Sequence, residues 1–80
     1  MRLDKYLKVS RIIKRRTVAK DFAENERVMV NGRIAKPSTE IKKGDVLTLR
    51  IGDRETAFEV LDIKENAKAS EARNLYRIIE

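Results

Sequence analysis

Asn31-Gly32, set in the stretch "RVMVNGRIAK", constrains what this chain can fold into more than any other pair of residues. Asn and Gly tolerate the positive φ that both central positions of a type I′ turn require, and short β-type runs flank them. This is the strongest hairpin signal that a few residues can carry. The pair also divides the chain. Downstream, "KPSTE" reads as a loop that Pro37 holds extended, and "KKGD" turns into "VLTLRIG", where Leu47, Leu49 and Ile51 alternate with Thr48 and Arg50. "GDRE" turns again into "TAFEVLDI". There Phe58 and Val60 hold one phase while Leu61 and Ile63 take the other, and that slip predicts a bulge near Val60 that lets the sheet curl. In the tail, Ser70-Glu71-Ala72 starts one helical turn and "LYRII" runs extended.

Upstream of the hairpin the period changes from two to that of a helix. Leu3, Tyr6 and Leu7 lie at i, i+3, i+4, one face of a short helix. The phase breaks between Val9 and Ile13, where Ser10 can turn or cap the chain. A second helix is expected from about Arg15 to Glu24. Val18, Ala19, Phe22 and Ala23 form its buried stripe, and Asn25 is its left-handed stop. The expected core holds Leu3, Leu7, Val18, Phe22, Val30, Leu47, Leu49 and Phe58, and Tyr6 reads as core rather than as a base-stacking group. The fold class is α+β: two N-terminal helices packed on a small curled antiparallel sheet, then a short helical turn or strand. Eighty residues make a single domain, 1–80. A chain this short buries about 60–65% of its unfolded surface, so the core is thin.

The charge is confined to one end. Residues 1–20 carry eight Lys/Arg against Asp4 alone, +7, while the remaining sixty carry −1, giving the net +6. Runs that merely solubilise a surface mix both signs, and this one does not. Clustered cations on a domain of this size point to a polyanion, and rigidly held arginines suit phosphate best because the planar fork grips two oxygens. Arg15 and Arg16 stand at the start of the second helix, where the dipole disfavours cations by about 0.3–1 kcal/mol each; function rather than folding chose them. The RNA-binding candidates are therefore Arg2, Lys5, Lys8, Arg11, Lys14, Arg15, Arg16 and Lys20, with Lys36 at the loop after the hairpin. Arg2 and Arg16 lie outside the apolar stripes, so their loss should change stability by only a few tenths of a kcal/mol. Lys42 and Lys43 flank a turn and read as solubilising. Asp4 reads as favouring the first helix's N-terminus or orienting Lys5, Lys8 or an arginine of the second helix.

Cysteine and histidine are both absent, which removes thiolate metal sites and the commonest general base. There is no P-loop, no GxGxxG and no paired-carboxylate arrangement. No enzyme activity, metal or cofactor is expected. No apolar run approaches the roughly 18–20 residues that span a bilayer, and the N-terminus lacks the apolar segment of a secretory signal; a cytoplasmic protein with no membrane partner is expected.

Four motifs in order, "RLDKYL", "SR…KRRTVAK", "V.VNG…KPS" and "GD.L", resemble the S-four RNA-binding domain over roughly residues 1–63, leaving 64–80 as a C-terminal extension. Among that family's stand-alone members the chain is most similar to RqcP-like proteins, which "MRLDKYLKVSR" and "SEARNLY" match. That resemblance implies a ribosome-associated protein that docks on a large subunit carrying stalled peptidyl-tRNA. It implies contact with 23S ribosomal RNA and tRNA backbones, work beside the RqcH factor, and support of C-terminal alanine tailing, as a monomer. The resemblance singles out Arg16 and Arg2. The alternative is a general structured-RNA or DNA-binding module, in ribosome assembly or as a helix-turn-helix regulator. The second helix lacks the Asn/Gln/Arg face that direct base readout wants.

Overall fold

The first helix forms because three large side chains share one face and its leading N–H groups find partners. The computed structural model describes residues 1–79. In it α1 spans Leu3–Val9, and Leu3, Tyr6 and Leu7 are fully buried. No side chain caps its start. Instead the N–H groups of Leu3 and Asp4 donate to the carbonyls of Thr39 (2.8 Å) and Pro37 (3.2 Å), so the 36–39 turn lies across the helix entrance. Buried helix ends need such partners. Ser10 closes the helix, its hydroxyl donating to the Leu7 carbonyl at 3.2 Å, and Arg11 reverses the chain at φ +61°.

Helix α2 spans Arg16–Glu24, one residue inside the expected start. Its buried stripe is narrower than expected. Ala19 and Ala23 are buried, Phe22 is half-buried and Val18 is 39% exposed. Two alanines on the contact face let α2 approach α1 closely, and that leaves the bulkier Phe22 and Val18 on the flanks. The stop also differs. Asn25 sits at φ −94° and Glu26, not Asn25, is left-handed at φ +60°. The Glu26 N–H donates to the Ala23 carbonyl (3.2 Å) and the Arg27 N–H to the Phe22 carbonyl (3.0 Å), the bond pair of a Schellman cap. Asn25 serves by its amide, which donates to the Asp21 carbonyl at 2.7 Å.

Strands β1 (Val28–Val30) and β2 (Arg33–Ile34) make the expected hairpin, with Asn31 and Gly32 at φ +52° and +82°. Asn31 does more than turn. Its side chain accepts from the Val46 N–H (2.9 Å) and donates to Asp45 (3.1 Å), tying the hairpin to the start of the next strand. Strands β3 (Val46–Ile51) and β4 (Arg54–Val60) follow, then a single turn α3 (Ala69–Ala72) and β5 (Tyr76–Ile79). The sheet is antiparallel throughout in the order β2-β1-β3-β4-β5. The tail thus supplies both a helical turn and a fifth strand.

The predicted slip after Val60 takes the form of two successive N–H groups, Leu61 and Asp62, aimed at the single Leu75 carbonyl (2.8 and 3.3 Å), where regular pairing ends. Two residues opposing one is the bulge pattern. The core gathers α1, the two alanines of α2, Val28, Ala35, Ile41, Leu47, Leu49, Phe58, Val60 and Leu75, with Phe22 and Val30 packed at its margin. Ile51, which continues the inward alternation of β3, is 54% exposed at the end of that strand. Tyr6 joins the two ends of the chain: its hydroxyl donates to the Leu75 carbonyl at 2.6 Å, and burial pushes the phenol's pKa well above its ordinary value.

Candidate nucleic-acid interface

The lone acid of the basic stretch is buried at its centre. Asp4 sits in the first turn of α1, 2% exposed, because its neighbours Leu3, Tyr6 and Leu7 turn that helix into the core. One carboxylate oxygen accepts the Lys5 N–H at 2.8 Å. Arg2, which precedes α1 in extended conformation, lays its fork on the same group, Nε and Nη2 each 3.2 Å from one of the two oxygens. Arg16, at the first position of α2, places Nη2 3.4 Å from Oδ1. The two arginines come from different elements and are each about half exposed, with side-chain values of 49% and 48%. A buried carboxylate with two half-exposed guanidiniums fixes their orientation while leaving N–H groups facing water.

Of the roles expected for Asp4, orienting an arginine of the second helix is the one found, with Arg2 added, so neither arginine is energetically independent of the fold. Sequence spacing does not say which arginine is engaged, because Asp4 and Arg16 are twelve residues apart and meet only when α2 packs on α1. Removing both arginines would strand a buried charge, which costs far more than a few tenths of a kcal/mol.

The other candidates spread from this centre. Lys8 in the last turn of α1, and Lys14 and Arg15 in the connection to α2, are exposed and form no ion pair among the described residues. Arg11 is exposed and reaches the Ala67 carbonyl at 3.4 Å. Lys5 is engaged by Glu65, whose carboxyl it holds below the ordinary range through a charge-assisted hydrogen bond. Lys20 pairs loosely with Glu24 one turn on, at 3.8 Å. Lys36 is exposed in the turn that crosses the entrance of α1, so the fold carries it toward Arg2 although thirty-four residues separate them. Its N–H donates to the Thr39 hydroxyl at 2.9 Å, which sets that turn. Arg15 precedes α2 with no side-chain cap, and the first turn of α2 holds no acid. The leading N–H groups of α2 and the cations therefore present one sign of charge.

Two clefts lie past the C-terminal end of α2 and share Glu26 and Ile34. One, about 320 Å³, is lined by Ala23, Ile34, Ala35 and Pro37 together with Lys36 and the acids Glu24 and Glu26. The other, about 500 Å³, is lined by Arg27 and Arg50 with Asn25, Glu26, Ile34 and Gly52. Arg27 and Arg50 are absent from the sequence-derived set. They lie in the near-neutral part of the chain, and only the β1–β3 pairing brings them together.

Comparison with known proteins gives the family. The S4 domain family matches residues 1–47, from the N-terminus into β3. The chain is 54% identical over 80 residues to the RQC P-site tRNA stabilizing factor of Listeria monocytogenes, covering 100% of this chain and 87% of that protein. It is 40% identical over 77 residues to heat shock protein 15 of Escherichia coli, covering 95% of this chain and 58% of that protein. The trimeric structure of Vibrio cholerae heat shock protein 15 matches with a TM-score of 0.89 at 38% identity, over 99% of this chain and 81% of that one. On the match of residues 1–47 and on identity over its whole length, the chain belongs to the S4 domain family, among the small proteins that include the RQC P-site tRNA stabilizing factors.

Proposed function

We propose that this protein binds RNA backbones through the basic end shared by α1, the 10–15 connection and α2. It docks on a large ribosomal subunit that still carries peptidyl-tRNA, and it holds that tRNA during ribosome-associated quality control. The observation that carries the reading is the Arg2–Asp4–Arg16 cluster, two arginines from separate elements aimed outward by one buried acid. A solvated face needs no such anchor, whereas phosphate recognition needs cations held at fixed spacing. The Listeria relative's name places it on P-site tRNA, and identity over the whole length of this chain supports the same role here.

The finer assignments belong to the same proposal. The RNA partners are 23S ribosomal RNA and the peptidyl-tRNA, and RqcH is the protein partner whose alanine tailing this protein supports. Residues 1–80 act as one domain and as a monomer in the cytoplasm, without catalysis. The RNA-binding set is Arg2, Lys8, Arg11, Lys14, Arg15, Arg16 and Lys36, with Lys5 and Lys20 contributing once released from Glu65 and Glu24. Among the described residues no helix is long and apolar enough to cross a membrane.

Co-sedimentation with large subunits bearing peptidyl-tRNA tests the proposal. Arg16→Ala should weaken association about tenfold or more, while Lys43→Ala, exposed at the β3 entrance, should weaken it far less. If about five phosphates are neutralised, log K should fall against log salt with a slope of roughly −3.5 to −4.5. Equal losses from both variants would reduce the basic end to diffuse attraction and overturn the docked site.

A further inference from the structure

We propose that Arg27 and Arg50 form a second phosphate-binding cleft, which takes a phosphodiester of the RNA beyond the part held at Arg2 and Arg16; this deepens the RNA-binding reading above and rests on it. The Arg50 N–H donates to the Arg27 carbonyl at 2.8 Å, continuing the ladder in which Val28 pairs with Leu49. The two arginines therefore stand opposite each other one step beyond β1. Like charges at opposed positions of a sheet are unfavourable, so folding alone would have placed an acid at one of them. Neither forms an ion pair among the described residues, although Glu55 pairs with Arg50 in the register of β3 and β4.

Local geometry prepares the pair for an anion. The Arg27 guanidinium lies 5.6 Å from the centroid of the Phe22 ring, a cation–π contact at the point where a Schellman cap usually carries an apolar one. A guanidinium held near Phe22 without a carboxylate partner among the described residues keeps its N–H donors available for phosphate oxygens. Both arginines line the 500 Å³ cleft, which Glu26 and Ile34 share with the apolar 320 Å³ cleft. That second cleft reaches Pro37, whose carbonyl accepts the Asp4 N–H. The two clefts thus share Glu26 and Ile34, and the second carries Lys36 and Pro37 beside the turn that meets the start of α1.

Two guanidiniums against the Glu26 carboxylate leave a net +1 in an open cleft. That is too little to hold a free phosphate ion, and it fits one phosphate in a chain whose other contacts supply most of the affinity. Glu26 also makes the proposal signed. Removing its charge should tighten binding, while removing either arginine should loosen it.

The probes are a labelled deacylated tRNA and, separately, a labelled hairpin of large-subunit ribosomal RNA, titrated with the full chain at several salt concentrations. Arg50→Gln and Arg27→Gln should each weaken binding of at least one probe about tenfold and reduce the magnitude of its salt slope by about one. Glu26→Gln should tighten that same probe, and the probe affected identifies which RNA reaches the cleft. Arg27→Lys keeps the charge without the planar fork and should recover only part of the loss. Melting curves accompany each variant; should Arg27→Gln unfold through loss of its Phe22 contact, Arg50→Gln carries the test. If all four variants bind both RNAs within twofold of the parent with unchanged slope, the second cleft is refuted. Arg16→Ala measured beside them separates the two ideas: a loss there with none at Arg27 and Arg50 leaves the first site standing alone, and no loss there refutes the RNA-binding reading of the basic end.

Discussion

Asp4→Asn sets two accounts of the basic end in opposition. On a charge-counting account, removing the only acid among residues 1–20 raises the local charge from +7 to +8 and RNA should bind more tightly. The structure gives the opposite sign. Asp4 accepts four hydrogen bonds: two from Arg2 at 3.2 Å, one from Arg16 at 3.4 Å and one from the Lys5 N–H at 2.8 Å. Asparagine keeps an oxygen for the Lys5 N–H but loses the charge, and its NH₂ group competes with the guanidiniums for space. Three charge-assisted bonds to half-exposed arginines are lost or weakened, and solvent screens part of each, so stability should fall by about 1–2 kcal/mol. The freed arginines then lose their shared orientation, and subunit binding should weaken about tenfold despite the extra positive charge. The assay is a titration of large subunits bearing peptidyl-tRNA, with melting curves to confirm that the variant is folded at the assay temperature. A folded Asp4→Asn protein that binds as tightly as the parent, or more tightly, would refute the positioning argument and leave only diffuse electrostatics.

Three further outcomes follow from the packing. Leu47→Ala, at a fully buried position, should cost about 3 kcal/mol, whereas Phe22→Ala, half-buried beneath Arg27, should cost about 2 kcal/mol; chemical denaturation ranks them, and equal losses would contradict the placement of Phe22 at the core margin. Glu26→Gly should raise stability by about 0.5–1 kcal/mol, because glycine adopts φ +60° without the Cβ penalty, and an unchanged or lowered melting temperature would count against the left-handed cap. Tyr6→Phe should cost about 1 kcal/mol near neutrality by deleting the bond to the Leu75 carbonyl. Burial raises the Tyr6 pKa, so its contribution is whole below the unfolded value of 10.0 and is lost as pH rises beyond it, at up to about 1.4 kcal/mol per pH unit. The stability gap between parent and Tyr6→Phe should therefore narrow above pH 10, and a constant gap would mean that the phenol is not buried in the folded protein.

Short-range chemistry by itself determined the elements and the sign of the partner. The stripe of Leu3, Tyr6 and Leu7, the Asn31-Gly32 turn and the alternation of Leu47, Leu49 and Phe58 each act within a few residues, so they were legible from spacing, as was the +7 of the first twenty positions. Contacts between distant segments were legible only in part: the residues offer Asp4 an arginine of the second helix as partner, without saying which one or through what packing. Two alanines seat α2 against α1, and that close approach pushes Val18 outward, moves Phe22 to the margin and carries Arg16 onto Asp4. The left-handed stop fell on Glu26 rather than Asn25 because the position one past the helix cap needs positive φ whatever residue occupies it, and the bonds to Ala23 and Phe22 hold it there. Lys36 joins the basic end only because the 36–39 turn supplies acceptors to the start of α1, and Arg27 meets Arg50 only through the pairing of β1 with β3. Composition therefore determined that the excess of cations lies at the N-terminal end. Tertiary packing decided which arginines share an acid, which lysines are already engaged, and where a second pair of cations faces the solvent.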